Sequence, residues 1–447
     1  MALDTEISLR NQVMYCVFVR NYSEEGTFEA VRKDLDRIRS LGTDMIWFMP
    51  IQPTGQVHRK GSLGSPYAIR DYRAVNPEFG TMDDFKKLVK DIHEKGMKCI
   101  MDVVYNHTSP DSVLAKTHPE WFYHKPDGSL GNRVGDWWDV VDLNYDAGEE
   151  MWQYQIDTLK MWAEIVDGFR CDVAPMVPLA FWERARREVA EVRPGCLWLA
   201  ESVEPPFVAF NRSRNVRTSS DSELYRAFDM TYEYDLKDEF TGYFMGTKSL
   251  ADYSHAINLQ ECIYPENYVK LRFLENHDME RAHDLIRDDK ALRNWTAFAF
   301  FQKGIALIYN GQEAECTHRP TLFDKDTIDW SYLRESSIPA LMTKLSEIKK
   351  NPVFKDSFYE TTALPNDVMM AVHRPVNRSA AGAMEGEETG GPKMALGFFC
   401  LGGKNSLVQV GQLGLEDGAY TNVIDGKELI VHQGRLPLDG EPVVLLV

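Results

Sequence analysis

One arrangement recurs along this chain and limits what it can fold into: an amphipathic helix, a glycine stop, then a short, mainly apolar run. From Thr27 the residues Phe28, Val31, Leu35 and Ile38 follow helical spacing, stop at Leu41-Gly42, and give way to Asp44-Met-Ile-Trp-Phe-Met-Pro50. The unit returns at Thr81, where Asp84 completes a capping box, Phe85, Leu88, Val89 and Ile92 share one face, Gly96 ends the helix and Met97 to Val104 reads as a strand. Further strand-like runs lie at Met14–Val19, Asp167–Asp172, Cys196–Glu201, Ala227–Thr231, Val269–Leu274 and Gly304–Tyr309, with helical segments around 148–165, 180–192 and 289–302. Eight such strands in alternation predict an α/β fold, a closed (β/α)8 TIM barrel. An open dinucleotide-binding sheet is disfavoured because no G-x-G-x-x-G follows the first strand.

The segment 105–147 is too long for an ordinary connection and rich in aromatics, so it is expected to form a small inserted domain after the third strand. After residue 352 the texture changes to short alternating runs at Val368–Val372, Met394–Cys400, Ser406–Val410 and Val443–Val447. The expected division is therefore a barrel over 1–104 and 148–352, the insertion at 105–147, and a C-terminal β-sandwich domain over 353–447. Ser379 to Lys393 has loop composition and reads as a hairpin tip.

Charge and composition narrow the partners. Against 50 Lys and Arg stand 68 Asp and Glu, a net charge of −18, which repels phosphate backbones and makes nucleic acid an unexpected partner. No apolar stretch reaches the ~20 residues of a membrane span, and Met1 to Arg10 contains no signal-peptide core. The seven cysteines are an odd count with no C-x-x-C pair, and Cys16, Cys99, Cys171 and Cys196 sit in apolar runs. A reducing, cytoplasmic location is expected.

In a parallel barrel the chemistry lies where the strands end at their C-terminal side. The third run ends D-V-V-Y-N-H (Asp102 to His107), the fourth G-F-R-C-D (Gly168 to Asp172), the fifth L-A-E (Leu199 to Glu201) and the seventh F-L-E-N-H-D (Phe273 to Asp278). Carboxylates and imidazoles thereby converge on one mouth. At these residues the sequence resembles glycoside hydrolase family 13, the α-amylase family, whose ordered patterns are D-x-V-x-N-H, G-x-R-x-D, an isolated Glu and x-x-N-H-D. The V-D-L-N run, Val141 to Asn144, matches another family region. The resemblance implies Asp172 as nucleophile, Glu201 as general acid/base and Asp278 as the third carboxylate. It further implies that Arg170 holds the Asp172 carboxylate ionised, that His107 and His277 hydrogen-bond the sugar at the cleavage point, and that Tyr67 stacks beneath it.

Glycosidic cleavage with retention needs one ionised carboxylate to attack carbon and one protonated carboxyl to release the leaving oxygen. Burial of Glu201 at the end of Leu197-Trp198-Leu199-Ala200 is expected to keep it protonated. Trp121, Tyr123, Trp137 and Trp138 are candidate sugar platforms, whereas His124 and His318 read as isolated loop histidines. The implied activity is retaining hydrolysis of α-1,4 links in maltooligosaccharides, glycogen or starch fragments.

Two departures bear on substrate. The Asp after the stacking Tyr is Ala68 here, and Asp172 is followed by Val173-Ala174-Pro175-Met176 where many α-amylases have a Lys-His pair. Valine in that place fits members acting on α-1,6 links or on cyclodextrin and pullulan, and a glucosyltransferase of the same family remains open. So does a non-catalytic barrel partner of a membrane transporter, a reading that intact carboxylates oppose. No nucleotide or redox cofactor has a motif. Asn106 matches a calcium ligand of many members, but the partner carbonyl comes from the missing His, so no metal is assigned.

Overall fold

The computed structural model describes residue 2, residues 4–376 and residues 394–447. Strands β1 (Val13–Val17), β2 (Met45–Phe48), β3 (Lys98–Val103), β4 (Gly168–Cys171), β5 (Leu197–Ala200), β6 (Met230–Tyr232), β7 (Val269–Arg272) and β8 (Ile305–Tyr309) form a closed parallel barrel in chain order, β8 returning to β1. Val13 pairs with Ala306 to close the ring, and Asp102 and Arg170 stand opposite each other on β3 and β4. Because strand side chains alternate, β1 turns Met14 and Cys16 into the barrel and Val13, Tyr15 and Val17 towards the surrounding helices. Both faces are buried, which is why the runs are mainly apolar in sequence.

The helix stops work as their sequence implies. Thr81 and Asp84 form a reciprocal capping box on helix Met82–Glu94, and Gly42 and Gly96 adopt φ of 85° and 71°, the left-handed turn that a side chain would strain. The helix expected across 27–41 is broken in two, Phe28–Lys33 and Leu35–Ser40, at Asp34. The first strand ends at Val17, short of the expected Val19, because Val19–Tyr22 coils into a helical turn. The sixth strand begins at Met230, later than expected. Asp229 is held by Arg186 and its carboxylate accepts the Trp198 N–H.

Between β3 and the helix Glu149–Ala163 the chain makes an excursion whose base is a two-residue antiparallel pair, His107–Thr108 against Val141–Asp142. Beyond the barrel, Ser357–Leu364, Val368–Pro375, Ala395–Cys400 and Val443–Leu446 form an antiparallel sheet, and two further strand pairs complete a separate apolar cluster. Asn294 of the helix Asp289–Phe301 ties this part to the barrel, accepting the Cys400 N–H at 2.7 Å and donating to Gly440 O. The Ser379–Lys393 loop expectation falls outside the described residues.

Candidate active site

Arg170 organises the barrel mouth. Its Nη1 donates to Asp102 Oδ1 and to Asp172 Oδ1, both at 2.9 Å, and its Nη2 lies 3.0 Å from Glu201 Oε1. The side chain is fully buried, with its guanidinium carbon 5.2, 5.6 and 5.4 Å from the rings of Trp47, Tyr67 and Tyr232. A cation in such surroundings persists only when carboxylates pair with it. One guanidinium therefore fixes three acids carried by β3, β4 and β5.

The sequence-derived residues converge. Val173 N donates to Glu201 Oε2 at 2.7 Å, so the residue following Asp172 holds the carboxylate of the neighbouring strand. Tyr67 Oη lies 2.7 Å from His277 Nε2 and its ring stacks on that imidazole, while His277 Nε2 is 3.0 Å from Asp278 Oδ2. His107 Nε2 is 3.9 Å from Asp172 Oδ2, with its Nδ1 accepting from Asn106 Nδ2 at 3.1 Å. A cavity of about 320 Å³ brings together Tyr67, His107, Asp172, Glu201, His277 and Asp278.

Electrostatics separates these acids. Burial, partly offset by Arg170 and reinforced by Asp172 and Asp278, raises Glu201 to about 7. Asp172 is raised to about 6 because desolvation outweighs the lowering by Arg170, which leaves the carboxyl mainly ionised above that pH. Desolvation also acts on Asp278, but His277, Arg170 and Arg319 together outweigh it and hold this carboxyl at about 2. Burial lowers His107 to about 4, leaving a neutral imidazole at physiological pH. The arrangement can supply an ionised carboxylate and a protonated one to the same bound group.

Sequence reasoning assigned no role to Asp102 although it stands in the quoted D-V-V-Y-N-H run; it is the buried counter-charge under Arg170. Trp47 and Tyr232 carry no motif at all. Of the four candidate platforms, Trp121 is buried against His118, and the Arg133 guanidinium covers one face of the half-buried Tyr123 at 4.5 Å. Trp137 reaches the cavity beside His107, and Trp138 is 55% exposed at its rim. His124 and His318 are satisfied locally by Phe122 O and Asp326.

Around Asn106, one oxygen of the buried Asp142 carboxylate is taken by Arg133 and the other, Oδ1, has no hydrogen-bond partner among the described residues. Asp142, paired with His107 in the strand ladder, has Arg133 Nη1 3.5 Å from its Oδ2, and that same oxygen accepts the Arg133 N–H. The Arg133 guanidinium supplies positive charge on the Oδ2 side, and no step below uses a metal.

A closed parallel barrel with carboxylates gathered at the C-terminal ends of its strands is the build of a barrel enzyme. Residues 12–352 match the model of the alpha amylase catalytic domain and residues 360–445 that of the bacterial alpha amylase C-terminal domain. The chain belongs to the α-amylase family. Its fold superposes on the crystal structure of an alpha-amylase from Lactobacillus plantarum with a TM-score of 0.91 and 46% identity, covering 98% of this chain and 99% of that one. A noncanonic maltogenic alpha-amylase from Thermotoga neapolitana gives 0.83 and 32%, covering 98% and 99%. An alpha-1,4-glucan:maltose-1-phosphate maltosyltransferase from Rhodospirillum rubrum is 36% identical over 201 residues, 40% of this chain but only 29% of that protein. The chain thus matches under a third of this relative's length. Among the described residues no helix is long and apolar enough to cross a membrane.

Proposed function

We propose that this protein hydrolyses α-1,4 links of maltooligosaccharides, glycogen or starch fragments by double displacement. Asp172 is the nucleophile: its carboxylate attacks the anomeric carbon while Glu201 gives its proton to the departing glycosidic oxygen. Glu201, now ionised, takes a proton from water, whose oxygen attacks the same carbon and releases Asp172. Asp278 grips sugar hydroxyls as positive charge develops on the ring, His107 and His277 hydrogen-bond the sugar, and Tyr67 lies beneath it. The observation that carries this reading is that one guanidinium, Arg170, contacts both Asp172 and Glu201, while the backbone after Asp172 holds Glu201. Two carboxyls gathered on one guanidinium suit a nucleophile and an acid acting on the same glycosidic bond.

A proton NMR time course on maltoheptaose tests it: α-maltosaccharide ends must appear first, and β-anomers first would exclude the double displacement. A second reading, transfer of the glycosyl group to a sugar or to phosphate, is favoured by the likeness to the maltosyltransferase. Product analysis with and without inorganic phosphate separates the two. Cytoplasmic residence is part of the proposal, supported by seven unpaired cysteines, five of them buried.

A further inference from the structure

Three loops meet over the cavity, and Lys60 joins them. Its Nζ lies 2.9 Å from Asp139 Oδ1 and 3.4 Å from Asp136 O, and sits over the rings of Trp138 and Phe323 at 5.5 and 5.7 Å. Next to it, Ser62 donates through N and Oγ to Asp324 Oδ1 at 2.7 and 2.6 Å, and Leu63 N donates to Phe323 O. Gly61 permits this approach, since a Cβ there would stand 2.7 Å from the Phe323 side chain. Beneath, buried Arg20 donates to both Gly64 O and Leu322 O. The result is an arch that presents Lys60, Trp137, Asp139, Val140, Leu322 and Phe323 to the cavity.

The position of the arch on the ring gives it a direction. Its parts follow β8, β2 and β3, with Arg20 following β1, a continuous sector of the closed barrel. Glu201 ends β5, which stands across the ring from β1. The group that receives the Glu201 proton departs on the Glu201 side, so the arch faces the sugars that stay behind. A separate cavity of about 520 Å³ lies among the segments that follow β3, β4 and β5, lined by Asn106, Arg133, Met176 and Arg212. The arched cavity, at about 320 Å³, is near the lower limit of small-ligand sites.

We propose that the arch is a stop for the non-reducing end, with Lys60 as the residue that sets it, so that the enzyme trims short saccharides from chain termini and does not cut within chains. This inference rests on the glucan-cleaving function above and adds its direction. Lys60 is a positioning residue: it acts by holding Asp139 and Phe323 across the end of the site.

The test compares p-nitrophenyl maltoheptaoside with the same compound carrying a 4,6-O-ethylidene group on its non-reducing glucose, products being separated by chromatography. The wild type is expected to show kcat/KM at least a hundredfold lower on the blocked compound. Lys60→Met combined with Asp139→Asn removes both charges together, and Asp324→Ala independently cuts the Ser62 stitch at an exposed position. In either variant the gap should shrink at least tenfold, with longer first products from the free heptaoside. A wild-type gap below tenfold, or one unchanged in both variants, overturns the arch as a stop while leaving glucan cleavage intact. Failure of the wild type to cleave even the unblocked compound removes the function and this inference together.

Discussion

The Val173 N–H donates to Glu201 Oε2 from a left-handed backbone, φ 40°, that a β-branched residue rarely adopts. The turn after β4 is thereby fastened to the acid at the end of β5. Replacing Val173 by glycine relieves ~1–2 kcal/mol of left-handed strain. It also forfeits ~1.5–3 kcal/mol from burial of the valine side chain and ~0.5–1 kcal/mol of glycine backbone entropy. Val173→Gly is therefore expected to be less stable by about 1–2 kcal/mol in urea unfolding. A gain in stability would show that strain dominates this turn.

Removing the Arg170 charge leaves Asp102, Asp172 and Glu201 without their common partner. Arg170→Met is expected to lose about 3–5 kcal/mol of stability at pH 8, the cost of an orphaned buried charge. All three carboxyls are already raised in the folded state, and losing the cation raises them further. A folded-state pKa above the unfolded value means stability present at low pH and lost as pH rises through the folded pKa. The deficit should therefore narrow at pH 5. A deficit equal at pH 5 and pH 8 would contradict the charge argument.

The pH profile of kcat/KM should be a narrow bell. Activity needs the pair in its singly protonated form, ionised at Asp172 and protonated at Glu201, which are raised to about 6 and about 7. The two limbs belong to the pair as a whole. Asp278, held at about 2, contributes no limb above pH 4. Full activity persisting to pH 9 would rule out Glu201 as the acid.

Asp172→Asn and Glu201→Gln should each lower maltoheptaose cleavage by several decades with the fold unchanged by circular dichroism. An α-glucosyl fluoride needs little protonation to depart, so Glu201→Gln should retain far more of its first-step rate on that substrate. Asp172→Asn should lose both. A tenth of wild-type activity in Asp172→Asn would dismiss it as nucleophile.

The barrel was legible because its strands are buried on both faces and its helices carry their own caps: Thr81, Asp84 and Gly96 do in space what their spacing implies. The strand-end acids were legible because each closes an apolar run. Contacts between distant loops left no such trace. Lys60 meets Asp139 and Phe323 across turns with no periodicity, and the rings of Trp47 and Tyr232 reach Arg170 only once the barrel has closed. The upward shift of Asp172 left no trace for a related reason: sequence places Arg170 nearby but does not reveal how fully both groups leave water.

One guanidinium answering three carboxylates has a consequence for how the enzyme rests between turnovers. With Asp102, Asp172 and Glu201 all ionised, the barrel mouth would carry two uncompensated negative charges around Arg170. Retaining a hydrogen ion is the least costly relief, and Glu201, the most raised of the three, is its natural seat. Below about pH 7 the acid of the proposed mechanism is thus loaded by the charge balance of the folded barrel before any sugar arrives, so that its proton is as much a constituent of the native state as any side chain that surrounds it.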